Sequence, residues 1–157
     1  MLVVSPENPV TTAVRLLATS GFLQIACASL LGMWMLVRMQ PWGAARGGRA
    51  GLKDLGAAHV DLILLGLLEI AAAWALQAFV IADASWIAVL LVLGGWLNPV
   101  PYVARAHGIN AFVLGGGRTQ RAFALLGLAS SLALTTGIGG LVVAIVADAT
   151  PATTGGP

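Results

Sequence analysis

Hydrophobic residues in this chain come in four long, nearly unbroken runs separated by short polar or glycine-rich segments. The runs cover about 14–39, 57–82, 85–106 and 122–147, each long enough for one helical crossing, which needs about 20 apolar residues. The first is entered after Pro9, with Thr11 or Thr12 as N-cap, and is left before Pro41. The second and third are joined by a turn containing Asp83 and form a tight antiparallel hairpin. Gly115, Gly116, Gly117 and Arg118 form the loop before the fourth, and Pro151 to Pro157 reads as a polar tail. Backbone groups in lipid must be satisfied within their own segment, which selects helices. The expectation is an all-α, integral membrane four-transmembrane-helix bundle, one domain over 1–157.

Composition agrees, with 59% apolar residues, 9% charged residues and a mean hydropathy of +0.93. The formal charge of +2 is too small to suggest nucleic acid as a partner. The single cysteine, Cys27, lies in the first run and excludes an intramolecular disulfide. Basic residues Arg38, Arg46, Arg49, Lys53, Arg105, Arg118 and Arg121 flank the first and third loops, whereas Glu7, Asp83 and Asp148 lie on the other side with Arg15 as its only basic residue. The positive-inside rule then gives a multi-pass protein of the cell inner membrane, with both termini on the non-cytoplasmic side. The long first run followed by basic residues reads as an anchor rather than a cleaved signal peptide. In the fourth run Ala129, Ala133 and Gly137 form a small-residue stripe suited to helix packing. The similarity of Leu31-Gly32-Met33-Trp34 to Leu93-Gly94-Gly95-Trp96 is a chance repeat in a chain rich in leucine and glycine.

Polar groups inside a membrane are costly, so each is a functional candidate: His59, Asp61, Glu69, Gln77, Asn98, Tyr102 and, at the edge, His107. The topology puts His59, Asn98 and Tyr102 in one half of the bundle. Asn98 and Tyr102 are four residues apart and share a face, and Gly66 and Ala73 follow His59 at seven-residue spacing, leaving a flat strip beneath the imidazole. Pro99 and Pro101 remove two backbone donors and distort the third span beside Asn98. Plainer roles stand beside these. His59 and Asp61 could be groups of a helix N-terminus, Asn98 an interhelical bridge, and Tyr102 an aromatic-belt residue like Trp34, Trp42 and Trp86. Glu69, near mid-membrane, must be protonated, paired or wet.

Ala58-His59 at the start of the second span, together with Gly95-Trp96-Leu97-Asn98-Pro99-Val100-Pro101-Tyr102 in the third, resembles the styrene oxide isomerase family of small four-helix membrane enzymes. The resemblance implies a homotrimer holding ferric haem b between subunits and converting a small apolar epoxide into a carbonyl compound. It makes His59 the axial iron ligand, with Asn98 and Tyr102 orienting the epoxide. Gly66 would lie under the cofactor and Arg105 would meet its propionates, the latter from position alone. Leu65 and Gly94 depart from the family pattern, which has asparagine and aspartate there. Two other classes compete: a b-type cytochrome with His59 and His107 as axial ligands, and a cofactor-free transporter or assembly factor using Glu69 as a proton-coupled carboxyl.

Overall fold

A computed structural model describes residues 9–44, 51–79, 81 and 84–149. Arg46, Arg49, Glu7, Asp83 and the tail from Pro151, which entered the sequence reading, lie outside the described residues. The fold is all-helical, with α1 Pro9–Met39, α2 Pro41–Ala44, α3 Leu52–Ala78, α4 Ser85–Leu97, α5 Val100–Ala106 and α6 Arg118–Ala149. Four segments are long and apolar enough to cross a membrane: α1, α3, the stacked pair α4 and α5, and α6.

Helix ends run further into polar sequence than hydropathy indicates. α3 begins at Leu52, not near Ala57, after Gly51 in the left-handed region at φ 75°. A Cβ at Gly51 would meet the Ala106 carbonyl oxygen at 2.5 Å, so the start of α3 packs directly on the end of α5. At that end, Arg105 Nε lies 3.1 Å from Asp54 Oδ1. The third span breaks at Asn98 and Pro99. Neither Pro99 nor Pro101 has an N–H, and the backbone re-forms with Tyr102 and Val103 both donating to the Pro99 carbonyl.

α3 packs most extensively on α1, while α6 lies against α4 and α5 and is the least buried of the four spans. At the end where α1 begins, the interior is apolar, built from residues such as Leu17, Ala72, Leu76, Ile87, Ala88 and Leu91. Polar side chains occupy the middle and the opposite, basic end. On α6 the packed seam shares Gly137 with the expected stripe but not Ala129, which is exposed: Gly127, Ser130, Leu134, Gly137 and Leu141 face α4 and α5. That seam repeats at three and four residues, the spacing of one helix face.

Candidate functional site

Because α3 starts at Leu52, His59 is seven residues into the helix, about 10 Å from its start. It is therefore not a capping group, and Asp61 is not a first-turn acid; Asp54 has that place. The His59 ring is half-buried in the groove between α3 and α1, over Gly32, with Nδ1 2.8 Å from the Ala28 carbonyl oxygen. A carbonyl only accepts, so Nδ1 carries the proton, and in the neutral imidazole Nε2 then keeps the lone pair. A backbone carbonyl that fixes the tautomer in this way is the usual support of a metal-binding imidazole.

Asp61 lies two residues on, about 200° around the helix and about 3 Å along it. It faces α4, where Asn98 Nδ2 donates to Asp61 Oδ2 at 2.7 Å. The Ser130 hydroxyl on α6 lies 2.9 Å from the Gly94 carbonyl oxygen and 3.2 Å from Asn98 Oδ1. Three spans thus meet at the helix break through one amide. Asn98 also lines a cavity of about 350 Å³ with Pro101, Tyr102, Phe112, Leu128 and Ser131. That volume lies at the lower end of the range for small-molecule pockets, about 300–1,000 Å³. The Tyr102 and Phe112 rings pack with centroids 5.0 Å apart.

Asn98 and Tyr102 therefore share a pocket, as their spacing implies, and Asn98 stands at the level of His59. Within one chain, however, the imidazole and this pocket lie on different sides of α3. The strip of Gly66 and Ala73 is not free beneath the imidazole either. A Cβ on Gly66 would meet the Gly21 carbonyl oxygen at 2.7 Å, and Ala73 belongs to the apolar core. Small residues there serve the closest approach of α1 and α3, so Gly66 offers no open face to a planar cofactor in the single chain. Arg105, expected to meet propionates, is engaged by Asp54 and lies 5.5 Å from the centroid of the Phe112 ring. His107 is exposed, with Nδ1 donating to the Val103 carbonyl at 2.8 Å. Its neighbour Ala106 packs on Gly51, eight residues before His59, which separates the two histidines by about 12 Å of helix rise.

A second polar cluster was only partly visible in the sequence. Glu69 is 1% exposed and Gln24 0%. Gln24 Nε2 donates to Glu69 Oε1, and Trp96 Nε1 donates to Ser20 Oγ at 2.9 Å. Gly95 makes this possible, since a Cβ there would meet both Glu69 Oε1 and Gln24 Nε2. Ser20 and Gln24 lie four residues apart on α1, a spacing that would have identified them as one polar face. Gln77, by contrast, is exposed. Gly94 has a packing reason to lack a side chain: a Cβ would stand 2.6 Å from Leu134 Cγ. The aspartate of the family pattern has no room there against Leu134. Among the described residues, no group of three or more His, Cys, Asp or Glu side chains is placed to hold a bare metal ion.

Compared with known proteins, the chain matches no protein-family model, no curated protein and no solved structure.

Proposed function

We propose that this chain is a membrane-embedded epoxide isomerase that converts a small apolar epoxide into a carbonyl compound with haem b as cofactor. The observation that carries this reading is the His59 imidazole, whose Nδ1 is tied to the Ala28 carbonyl, so that the neutral ring presents its lone pair at Nε2. A single neutral imidazole is a sufficient protein ligand for haem iron, so the donor chemistry fits the group. When bound, ferric haem held by one imidazole supplies a Lewis-acidic centre for the epoxide oxygen.

The remaining work falls to the chain's own residues. Asn98 has a second N–H beyond the one given to Asp61, which serves as donor to a ligand oxygen. The Tyr102 hydroxyl is a second group able to orient it. Pro101, Ala111, Phe112, Leu114 and Leu128 give the pocket an apolar wall, and this reading needs its open side covered by lipid or a neighbouring copy, because water would divert an opening epoxide to a diol. The rearrangement moves one hydrogen between adjacent carbons, so neither atoms nor electrons are gained or lost and no redox partner is needed.

His59 and the Asn98–Tyr102 pocket are on different sides of α3, so this reading requires a cofactor held between copies of the chain, the imidazole coming from one and the pocket from its neighbour. The homotrimer of the resembled family supplies such an arrangement, and the lightly buried α1 and α6 leave apolar surface for it. The exposure of His107 and its separation from His59 weigh against a bis-histidine cytochrome within one chain. Styrene oxide is the test substrate, incubated with purified protein under anaerobic, non-reducing conditions. Phenylacetaldehyde is the expected product; diol or unchanged epoxide contradicts the proposal.

A further inference from the structure

The connection between α5 and α6 carries no charged side chain from Gly108 to Gly117, and three consecutive apolar residues in it, Phe112, Val113 and Leu114, are exposed. It does not stand clear of the helix ends. Gly108, in the left-handed region at φ 84°, turns the chain back on α5, with its N–H donating to the Arg105 carbonyl at 2.9 Å and the Ile109 N–H to the Ala104 carbonyl at 3.1 Å. Ala111 is then buried, and the Phe112 ring lies 5.0 Å from that of Tyr102. Tyr102 is four residues, about 6 Å, inside the end of α5 at Ala106, and helical side chains lean towards the N-terminus, here the interior of the span. Phe112 and Leu114 also share the cavity with Leu128, ten residues or about 15 Å into α6. The segment therefore reaches back down between α5 and α6. Side chains of its own end of the bundle serve its backbone: Gln120 Nε2 donates to the Val113 carbonyl at 3.5 Å, and the Phe112 N–H to Asn110 Oδ1 at 3.4 Å.

Arg105 at the end of α5 and Arg118 and Arg121 at the start of α6 flank this segment, and the last two are exposed. Basic residues at a span end stand at the level of the lipid phosphates, and the Phe112 ring lies deeper. An apolar face at that depth meets either lipid or a second copy of the chain. A copy standing alongside brings its own three arginines to the same level, where like charges repel, whereas phosphates pair with them. Charge thus favours lipid.

We propose that residues 109–114 form an apolar loop turned back into the bilayer, with its exposed face seated in the lipid of the basic-side leaflet beneath the phosphates. The inference rests on the reading above only in taking the Asn98–Tyr102 cavity as a binding site. The loop side of the cavity mouth, Phe112 and Leu114, then opens to lipid, and a neutral apolar ligand dissolved in the membrane reaches the cavity without crossing water. A copy that brings its imidazole to this cavity can close the α6 side of the mouth, where Leu128 and Ser131 are exposed, and leave the loop side in lipid.

The test needs neither haem nor turnover. Full-length protein with Cys27→Ala is spin-labelled at Val113→Cys or Gly117→Cys and placed in nanodiscs of phosphatidylcholine and phosphatidylglycerol. A Cβ at Gly117 meets nothing within 4 Å, so a label there disturbs no packing. Electron-spin power saturation compares collisions with oxygen, which concentrates in lipid, and with a water-soluble nickel chelate. The label at position 113 is expected to prefer oxygen and the label at 117 the nickel chelate. A nickel preference at 113 puts the loop in water, and protection from both reagents puts a second copy over it; either overturns the inference.

The unlabelled wild type gives a second reading, by mass spectrometry after photolysis of a phenyl diazirine dissolved in the bilayer. Carbene marks are expected on Phe112 to Leu114 and, through the mouth, on Tyr102. Excess acetophenone should lower the mark on Tyr102 several-fold more than that on Val113, which does not line the cavity. A chain unmarked from 112 to 114 overturns the loop's placement, and a marked loop with an unmarked Tyr102 overturns the entrance. An oxygen-preferring loop in a protein without haem or isomerase activity sinks the enzyme reading and leaves the loop in lipid. A nickel-preferring loop in a protein that makes aldehyde sinks the loop's placement alone.

Discussion

Gly32 on the first span makes room for His59 on the second: a Cβ at Gly32 would stand 2.9 Å from the imidazole Cε1 and 3.3 Å from Nδ1. The shorter of these distances is one that real Cβ contacts do not show, so a side chain here forces the ring to shift from its place against the Ala28 carbonyl. Gly32→Ala is expected to cost about 1–3 kcal/mol through overpacking and to lower haem content by releasing Nδ1 from its anchor. Thermal melting and the Soret absorbance per protein read the two effects. A variant with wild-type haem content would show that the anchored ring is not the ligand.

The crossing of α1 over α3 depends on two other glycines. A Cβ on Gly21 would meet the Gly66 carbonyl oxygen at 2.5 Å, while at Gly139 on α6 nothing lies within 4 Å. Gly21→Ala and Gly66→Ala should therefore lower the melting temperature in detergent. Gly139→Ala should leave it unchanged or raise it, since alanine is favoured over glycine in a helix by up to about 1 kcal/mol. Equal tolerance at all three positions would mean that the two helices do not approach as described.

Glu69 separates the enzyme from a transporter. Its side chain is buried against Gln24, and removing it leaves that amide without its partner, at a cost of about 1–3 kcal/mol. Glu69→Leu is thus expected to destabilise the bundle. Glu69→Gln, which keeps a polar group at the position, is expected to retain aldehyde formation within a few-fold. Abolished substrate flux in proteoliposomes with intact folding would instead identify Glu69 as a coupling carboxyl.

Arg105 has an ion pair with Asp54 at the basic end, with 47% of its own side chain exposed. Exposed pairs of this kind contribute under about 1 kcal/mol, so Arg105→Ala should fold normally. If the guanidinium also meets cofactor carboxylates, haem retention through dialysis falls in this variant while wild-type protein keeps its cofactor. Unchanged retention would confine Arg105 to its pairing with Asp54.

Hydropathy was enough to locate all four spans, and Pro99 with Pro101 foretold the break in the third. The helix starts were harder to see. Lys53 and Asp54 end an apolar window, yet the backbone stays helical through them because Gly51 lets α3 begin against α5 and Arg105 pairs with Asp54. Spacing correctly put Asn98 and Tyr102 on one face of a pocket. It also placed Gly66 and Ala73 under His59, but it could not say what covers that face, and the answer is α1. Which helix packs on which stripe depends on residues far apart in the chain, as with Gly21 and Gly66 or Trp96 and Ser20. Gln24 escaped notice because one amide barely lowers the hydropathy of a long apolar run, and its partner Glu69 comes 45 residues later.

The visible spectrum of detergent-purified protein, with its pyridine haemochrome, addresses the role of His59 most directly. Protein expressed with ample haem should show a Soret band that is lost in His59→Ala and kept in His107→Ala. A wild-type protein without that band, or a His59→Ala variant that retains it, would contradict the assignment of His59 as the haem ligand.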